Sequence, residues 1–147
     1  MKLFLRAFGM YTSLLFSGLA AIGQTPFLNV YGNNYQSAGR MIRSISNGDI
    51  LVGGFCSTGG NGEADLMAMR LDSTGAVIWN YYYGTAGDEY FAGGDVTPNE
   101  ELLLMTNSNT YDAVAIVRID GNGDTLWTKR YSEGPGAQVI GFSIYAT

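Results

Sequence analysis

The stretch "LDSTGAVIW", Leu71 to Trp79, is written a second time as "IDGNGDTLW", Ile119 to Trp127. Both read apolar residue, Asp, two residues, Gly, three residues, Trp, at an offset of 48. Extending outward, "MAMRLDSTGAVIWNYYYG" aligns with "AIVRIDGNGDTLWTKRYS". Arg70 then meets Arg118, Asp72 meets Asp120, Gly75 meets Gly123, Trp79 meets Trp127 and Tyr83 meets Tyr131. "DSTG" and "DGNG" read as hairpin turns, because Gly75 and Gly123 take a positive φ that a Cβ resists. A hairpin copied together with its flanking strands is a repeated supersecondary unit, and it governs how every other motif is read.

Further back, "PFLNVYG" matches "IWNYYYG" at an offset of 52, with Phe27 standing for Trp79 and Tyr31 for Tyr83. "GDILVGG" likewise resembles "EELLLMT". The period is therefore about 50 residues, and each period holds four strand-like runs. In the first they cover 39–46, 49–55, 65–71 and 76–83; in the second, 90–97, 101–106, 112–119 and 124–131. "SNGD", "STGGNGEA", "TPNE" and "NSNT" supply turn residues in the gaps. Runs such as "ILVGGF", "ELLLM" and "AVAIVRI" lack the alternation of a sheet with one wet face, so the sheets should be covered on both faces. Four strands per period of this length fit propeller blades. The expected fold is all-β: a partial β-propeller of about two four-stranded antiparallel blades with flanking strands, following an N-terminal signal helix. Trp79 and Trp127 should fill the space between neighbouring blades.

The amino terminus carries Lys2 and Arg6, then runs largely apolar from Ala7 to Ile22. That run is short of the roughly 20 apolar residues that span a bilayer. Ala21 and Gly23 are small residues at the spacing a signal peptidase accepts. Residues 1–23 read as a signal peptide and Gln24 as the mature start. No Cys follows it for lipid attachment. The region 24–147 then divides into repeats over 32–83 and 84–131, with a third begun over 132–147. Residues 25–31 supply a last-strand segment and 139–146 an opening strand. A closed propeller needs about four to eight blades, so the expectation is an N-terminal fragment of a longer reading frame. A complete chain of this kind should self-associate or fold as a two-sheet sandwich.

Composition restricts the function classes. A chain of 147 residues is long enough for one domain with a real core. Its formal charge is -5, and removal of Lys2 and Arg6 takes it to about -7. No basic stripe remains, which argues against nucleic acid or an anionic membrane as partner. The chain has no His, the commonest general base and transition-metal ligand. Cys56 is the single cysteine, in the apolar run "ILVGGFCS", and reads as a small buried thiol.

The repeat resembles that of exported β-propeller-like proteins of Bacteroidetes-type bacteria, which read approximately "D-x-x-G-[DN]-x-x-W-x-K-x-Y-G-G" followed by "D-G-G-[YF]". Asp120, Gly123, Asp124, Trp127, Lys129 and Tyr131 match in one copy, and Asp72, Gly75, Trp79, Tyr83 and Gly84 in the other. Ser132 departs from the pattern, Asn80 to Tyr82 lack the Lys, and "NGD" or "NEE" stands in place of "DGG". The resemblance covers nearly all of the chain after Gln24 and implies residence outside the cell or in the envelope, periplasm or surface, of a Gram-negative bacterium. "LDSTGAVIW" is also similar to the tryptophan-docking repeat of quinoprotein dehydrogenases and of the outer-membrane assembly lipoprotein propeller. That repeat spaces Asp and Gly one residue further apart and has a shorter period.

"DGNGD" sets Asp120, Asn122 and Asp124 at alternate positions, as a calcium loop begins. Thr125 and Tyr131 stand where such a loop needs Gly and Glu, and a turn is the better reading. Asp88 and Glu89 in "GTAGDEY" read as solvated loop charge, since neighbours on an extended segment point apart. "YGNNYQSAG" has a composition seen in sugar- and protein-binding loops. No nucleophile elbow, phosphate loop or paired-Cys motif appears. No catalytic, cofactor-binding or metal-ligating residue is assigned. Asp72, Gly75, Trp79, Tyr83, Asp120, Gly123, Trp127 and Tyr131 are assigned as structural repeat positions.

The expected function is an exported non-catalytic propeller module for protein or glycan binding, adhesion or scaffolding. The alternative is the first part of a secreted propeller enzyme, a hydrolase or quinoprotein-like dehydrogenase, with catalytic residues beyond Thr147. Expected partners are an unknown protein or glycan and further blades of the chain or a second copy. No cofactor and no membrane span in the mature chain are expected.

Overall fold

The computed structural model describes residues 28–31, 36–57, 59–108, 113–134 and 139–147. Within them the chain is all-β, in eight strands and no helix. The strands are β1 (Ser37–Ser44), β2 (Ile50–Cys56), β3 (Asp65–Leu71), β4 (Val77–Tyr83), β5 (Glu89–Val96), β6 (Leu102–Ser108), β7 (Ala113–Ile119) and β8 (Thr125–Tyr131). Each expected run becomes a strand. The helix and cleavage site expected within 1–24 lie outside the described residues.

The strands form two antiparallel meanders, β1-β2-β3-β4 and β5-β6-β7-β8. The repeated turn explains its own residues. Asp72 N–H donates to Ala76 O at 2.9 Å and Gly75 N–H to Asp72 O at 2.9 Å; Asp120 and Gly123 repeat the pair at 2.9 and 3.1 Å. Gly75 and Gly123 have φ of 87° and 91°, the left-handed region that closes a three-residue hairpin. The Asp is needed for its side chain: Asp72 Oδ1 accepts from Thr74 N–H and Ala76 N–H, and Asp120 Oδ1 from Asn122 N–H and Asp124 N–H. Such a carboxylate stands in for backbone acceptors within the turn. The same backbone pattern closes β1–β2 at Gly48 and β5–β6 at Glu100. Glu100 takes φ 62° without being glycine, and its Oε1 accepts from Ser46 N–H of the other sheet at 2.7 Å.

Register faults repeat as well. A shift falls between Arg70 and Leu71 in the first sheet and between Arg118 and Ile119 in the second. Another falls between Gly39 and Met41, then between Phe91 and Gly93. Bulges bend a strand and strengthen its twist, and here they fall at matching places in both sheets.

The sheets stack with β5 against β1, β2 and β3. Their shared core takes Met41, Leu51, Leu66, Ala68 and Trp79 from the first sheet and Leu102, Leu104, Val117 and Ile119 from the second. Gly53 allows the close approach, since a Cβ there would meet Leu104 Cδ2 at 2.8 Å. β3 is buried at every position except Arg70, and β7 at all but Ile116 and Arg118, as expected for strands covered on both faces. Cys56 is fully buried, as its apolar surroundings suggest.

The flanking segments correct two expectations. Residues 28–31 and 139–146 are not strands among the described residues. Each is nonetheless laid on a sheet. Tyr31 OH donates to Gly75 O. Gly141 exchanges two hydrogen bonds with the Asn107 amide at 2.9 and 3.1 Å, and Ala146 N–H donates to Asp95 Oδ2 at 3.1 Å.

Candidate functional site

Four of the assigned repeat positions, Trp79, Tyr83, Asp120 and Gly123, come together at the contact between the sheets. Trp79 is 8% exposed and its Nε1–H donates to Gly121 O at 3.0 Å. Arg70 Nη1 donates to the same carbonyl at 2.7 Å, and Tyr83 OH donates to Gly123 O at 2.7 Å. Three donors of one sheet thereby hold the Asp120–Gly123 turn of the next. Tyr81 stacks on Trp79 at 5.6 Å, and a Cβ on Gly123 would overlap the Tyr81 ring. Burial pushes the Tyr83 phenol far above its ordinary value, with Tyr81, Asp120 and Asp124 adding to the effect. It is therefore a permanent donor.

Arg70 is oriented from behind. Its Nε and Nη2 donate to Asp49 Oδ2 at 2.9 and 2.7 Å, and hydrogen bonds from Asn47 and then Arg70 hold the Asp49 carboxyl below its usual range. Arg118 and Glu101 form the same pair in the second sheet.

The contact is directional. Sheet 1 presents Leu51, Ala68, Arg70, Trp79 and Tyr83 to sheet 2, and sheet 2 answers with Leu104, Val117, Ile119 and its turn. The counterparts of the first set are Leu103, Ile116, Arg118, Trp127 and Tyr131, on the far side of sheet 2. Four of them, without Tyr131, line a cleft of about 460 Å³ with Ile144 and Tyr145. The counterparts of the second set, including Val52, Met69 and Leu71, line a groove of about 440 Å³ with Tyr31 on the far side of sheet 1. Trp127 is half-buried under Lys129, whose ammonium lies 5.2 Å from the ring centroid, and Tyr131 is 50% exposed. Among the described residues neither donates to a turn carbonyl. Trp79 meets the expectation of filling a gap between sheets; Trp127 has no further sheet against it among the described residues.

A cavity of about 690 Å³ opens between the sheets, lined among others by Tyr82, Tyr83, Thr85, Glu89, Ser108 and Arg130. That volume is in the range of small-molecule sites. Its polar end corrects one expectation. Glu89 is not solvated loop charge: it is 5% exposed, with Thr85 N–H and Thr85 Oγ1 donating to its carboxylate at 2.9 and 2.7 Å. Asp88 does stay at the surface, where it accepts from Tyr90 OH at 3.4 Å. Asp65 is fully buried beside Glu89; its Oδ2 accepts from Gly62 N–H at 3.2 Å and its Oδ1 has no hydrogen-bond donor. Ser108 Oγ, also buried, is likewise unpartnered.

Asp65, Thr85 and Ser108 were not singled out in the sequence, and Glu89 was read there only as loop charge. Their one signal is an acidic residue placed directly before a strand that is otherwise apolar. Asp120 Oδ1 accepts two backbone amides of its own hairpin, the role of a turn residue. Among the described residues no three His, Cys, Asp or Glu side chains gather as a metal cluster, and no helix is long and apolar enough to cross a membrane. A scan against protein-family models finds no match, and a search of the curated proteins finds no relative.

Proposed function

We propose that the chain is an exported, non-catalytic β-propeller module whose sheets are blades and whose role is to bind protein or glycan in adhesion or scaffolding at a Gram-negative envelope. One observation carries the propeller reading. Tyr31 donates to Gly75 O and Tyr83 donates to Gly123 O, so the same bond recurs at two successive steps of the repeat. A head-to-tail contact of this kind leaves each end complementary to the other, and such contacts generate rings when the rotation closes. Bulges at the same places in successive sheets also support a repeated blade. The resemblance to exported Bacteroidetes-type repeats supports the address, and the apolar run over 7–22 supports export.

Six of the repeated positions also support a scaffolding role: Asp72, Gly75, Asp120 and Gly123 close turns, and Trp79 and Tyr83 hold the neighbouring sheet. The groove between sheets, with its tyrosines and hydroxyls, is the surface offered for a ligand.

The test is expression of the full chain with its own amino terminus in a Bacteroidetes-type host. The expected result is a processed chain in the envelope or medium that forms closed rings in negative-stain images and binds arrayed glycans or envelope proteins. An unprocessed cytoplasmic chain would overturn export. A solitary two-sheet sandwich would overturn the propeller.

A further inference from the structure

The polar end of the inter-sheet cavity lies where two loops meet, the β3-side loop Gly59–Ala64 and the β4–β5 link Gly84–Asp88. Oxygen atoms crowd that junction. A Cβ on Gly84 would overlap Asp65 Oδ1 and lie 2.7 Å from Glu89 Oε2, so both carboxylates press on one point of the backbone. A Cβ on Gly62 would overlap Gly87 O and lie 3.1 Å from Thr85 O, which brings two carbonyls to the same junction. Ser108 stands directly across the β5–β6 ladder from Glu89.

Two carboxylates buried at one point lose their solvation and need polar or charged partners in its place. Asp88 and Glu63 add further negative charge at the rim, where both raise the Tyr90 phenol. Asp65 Oδ1 has no hydrogen-bond partner, and neither has Ser108 Oγ, whose residue pairs with Glu89 and lines the same cavity. An oxygen left without a donor is what a cation ligand looks like before the cation is counted.

We propose that Asp65 and Glu89, with hydroxyl and carbonyl oxygens of Ser108, Thr85 and Gly87, form a site for a hard divalent cation of the calcium type. Calcium accepts six to eight oxygen ligands in flexible geometry, carbonyls and hydroxyls among them, so two carboxylates suffice where neutral oxygens complete the shell. The cation would tie Asp65, where the Gly59–Ala64 loop enters β3, to the link that starts sheet 2, closing one end of the cavity. The inference stands apart from the propeller reading, since it needs only the two loops.

The experiment is titration of the full chain, stripped with chelator, with Ca²⁺ by calorimetry and with Tb³⁺ by tyrosine-sensitised luminescence. Tyr82 serves as antenna, since its ring touches Gly59. The expected result is one saturable site, a rise in melting temperature with Ca²⁺, and at least tenfold weaker binding in Glu89→Gln. Asp120→Asn should bind as the parent does. Absence of heat and luminescence in the parent chain at millimolar Ca²⁺ would overturn the proposal. Undiminished binding in Glu89→Gln would also overturn it, because the cation would then sit elsewhere. Asp65→Asn is the less useful variant, because its full burial puts folding at risk.

Discussion

Sheet 1 and sheet 2 are built from the same unit, yet they stand in different situations. Trp79 in sheet 1 is covered by the neighbouring turn, while Trp127 in sheet 2 faces outward beneath Lys129. Identical residues at identical places in a hairpin thus contribute differently, because stability comes from what is stacked on the face and not from the strand alone. In repeat proteins, intrinsic unit stability and the nearest-neighbour interface add as separate terms. Here the interface term falls on one copy only.

The most direct way to break this comparison is to remove both tryptophans in turn. Trp79→Ala should cost about 3–5 kcal/mol, the usual range for a buried aromatic. Trp127→Ala should cost about 1 kcal/mol or less, closer to a surface substitution. Urea unfolding of the two variants checks this, and equal losses would mean that the far face of sheet 2 is covered.

A smaller effect separates the turns. Gly123→Ala should cost about 2–4 kcal/mol, combining left-handed strain with overpacking against Tyr81. Gly48→Ala carries the strain alone, about 1–2 kcal/mol, because its Cβ would meet nothing nearer than Ser73 Cβ at 3.6 Å. Thermal melts of the pair test whether the Asp120–Gly123 turn is held by sheet 1. Tyr83→Phe removes one buried hydrogen bond and should cost about 1 kcal/mol. Tyr131→Phe should be neutral.

Acid provides the gentlest probe. Asp49, Asp72, Asp95 and Glu100 are all held below their ordinary range, chiefly by hydrogen bonds from Asn47, Thr74, Ala146 N–H and Ser46 respectively. A carboxyl depressed by folding contributes stability above its unfolded value and loses it as pH falls through the folded value. The urea midpoint should therefore hold down to about pH 4 and decline below it. Two of the four, Asp95 through Arg43 and Glu100 through Ser46, tie sheet 2 to sheet 1. Asp95→Asn should flatten the decline more than a substitution at the sheet 1 turn residue Asp72, where the bonds stay within one hairpin.

Much of the fold was legible before any coordinates. The eight strands, the two turns and the Asp and Gly within them follow from chemistry acting over a few residues: a positive φ, an Asp that caps its own loop, a run of apolar side chains. The 48-residue offset carried that local reading from one copy to the other. The flanking segments were less legible. Residues 139–146 have strand-forming composition, but a strand needs a ladder partner, and composition does not supply one.

What only the tertiary structure decided depends on contacts between distant residues. Trp79 finds its acceptor 42 positions away and Tyr83 finds its own 40 away, so no window of sequence reveals which copy is covered. Glu89 illustrates the same limit at the site. Read beside Asp88 it is loop charge, and only the approach of the Gly59–Ala64 loop turns it into a buried carboxylate facing Asp65. The sequence by itself determined the repeating unit and its turns, since those are settled by backbone sterics and neighbouring hydrogen bonds. Stacking decided which faces are dry and which charges are buried, because burial belongs to the pair of surfaces that meet.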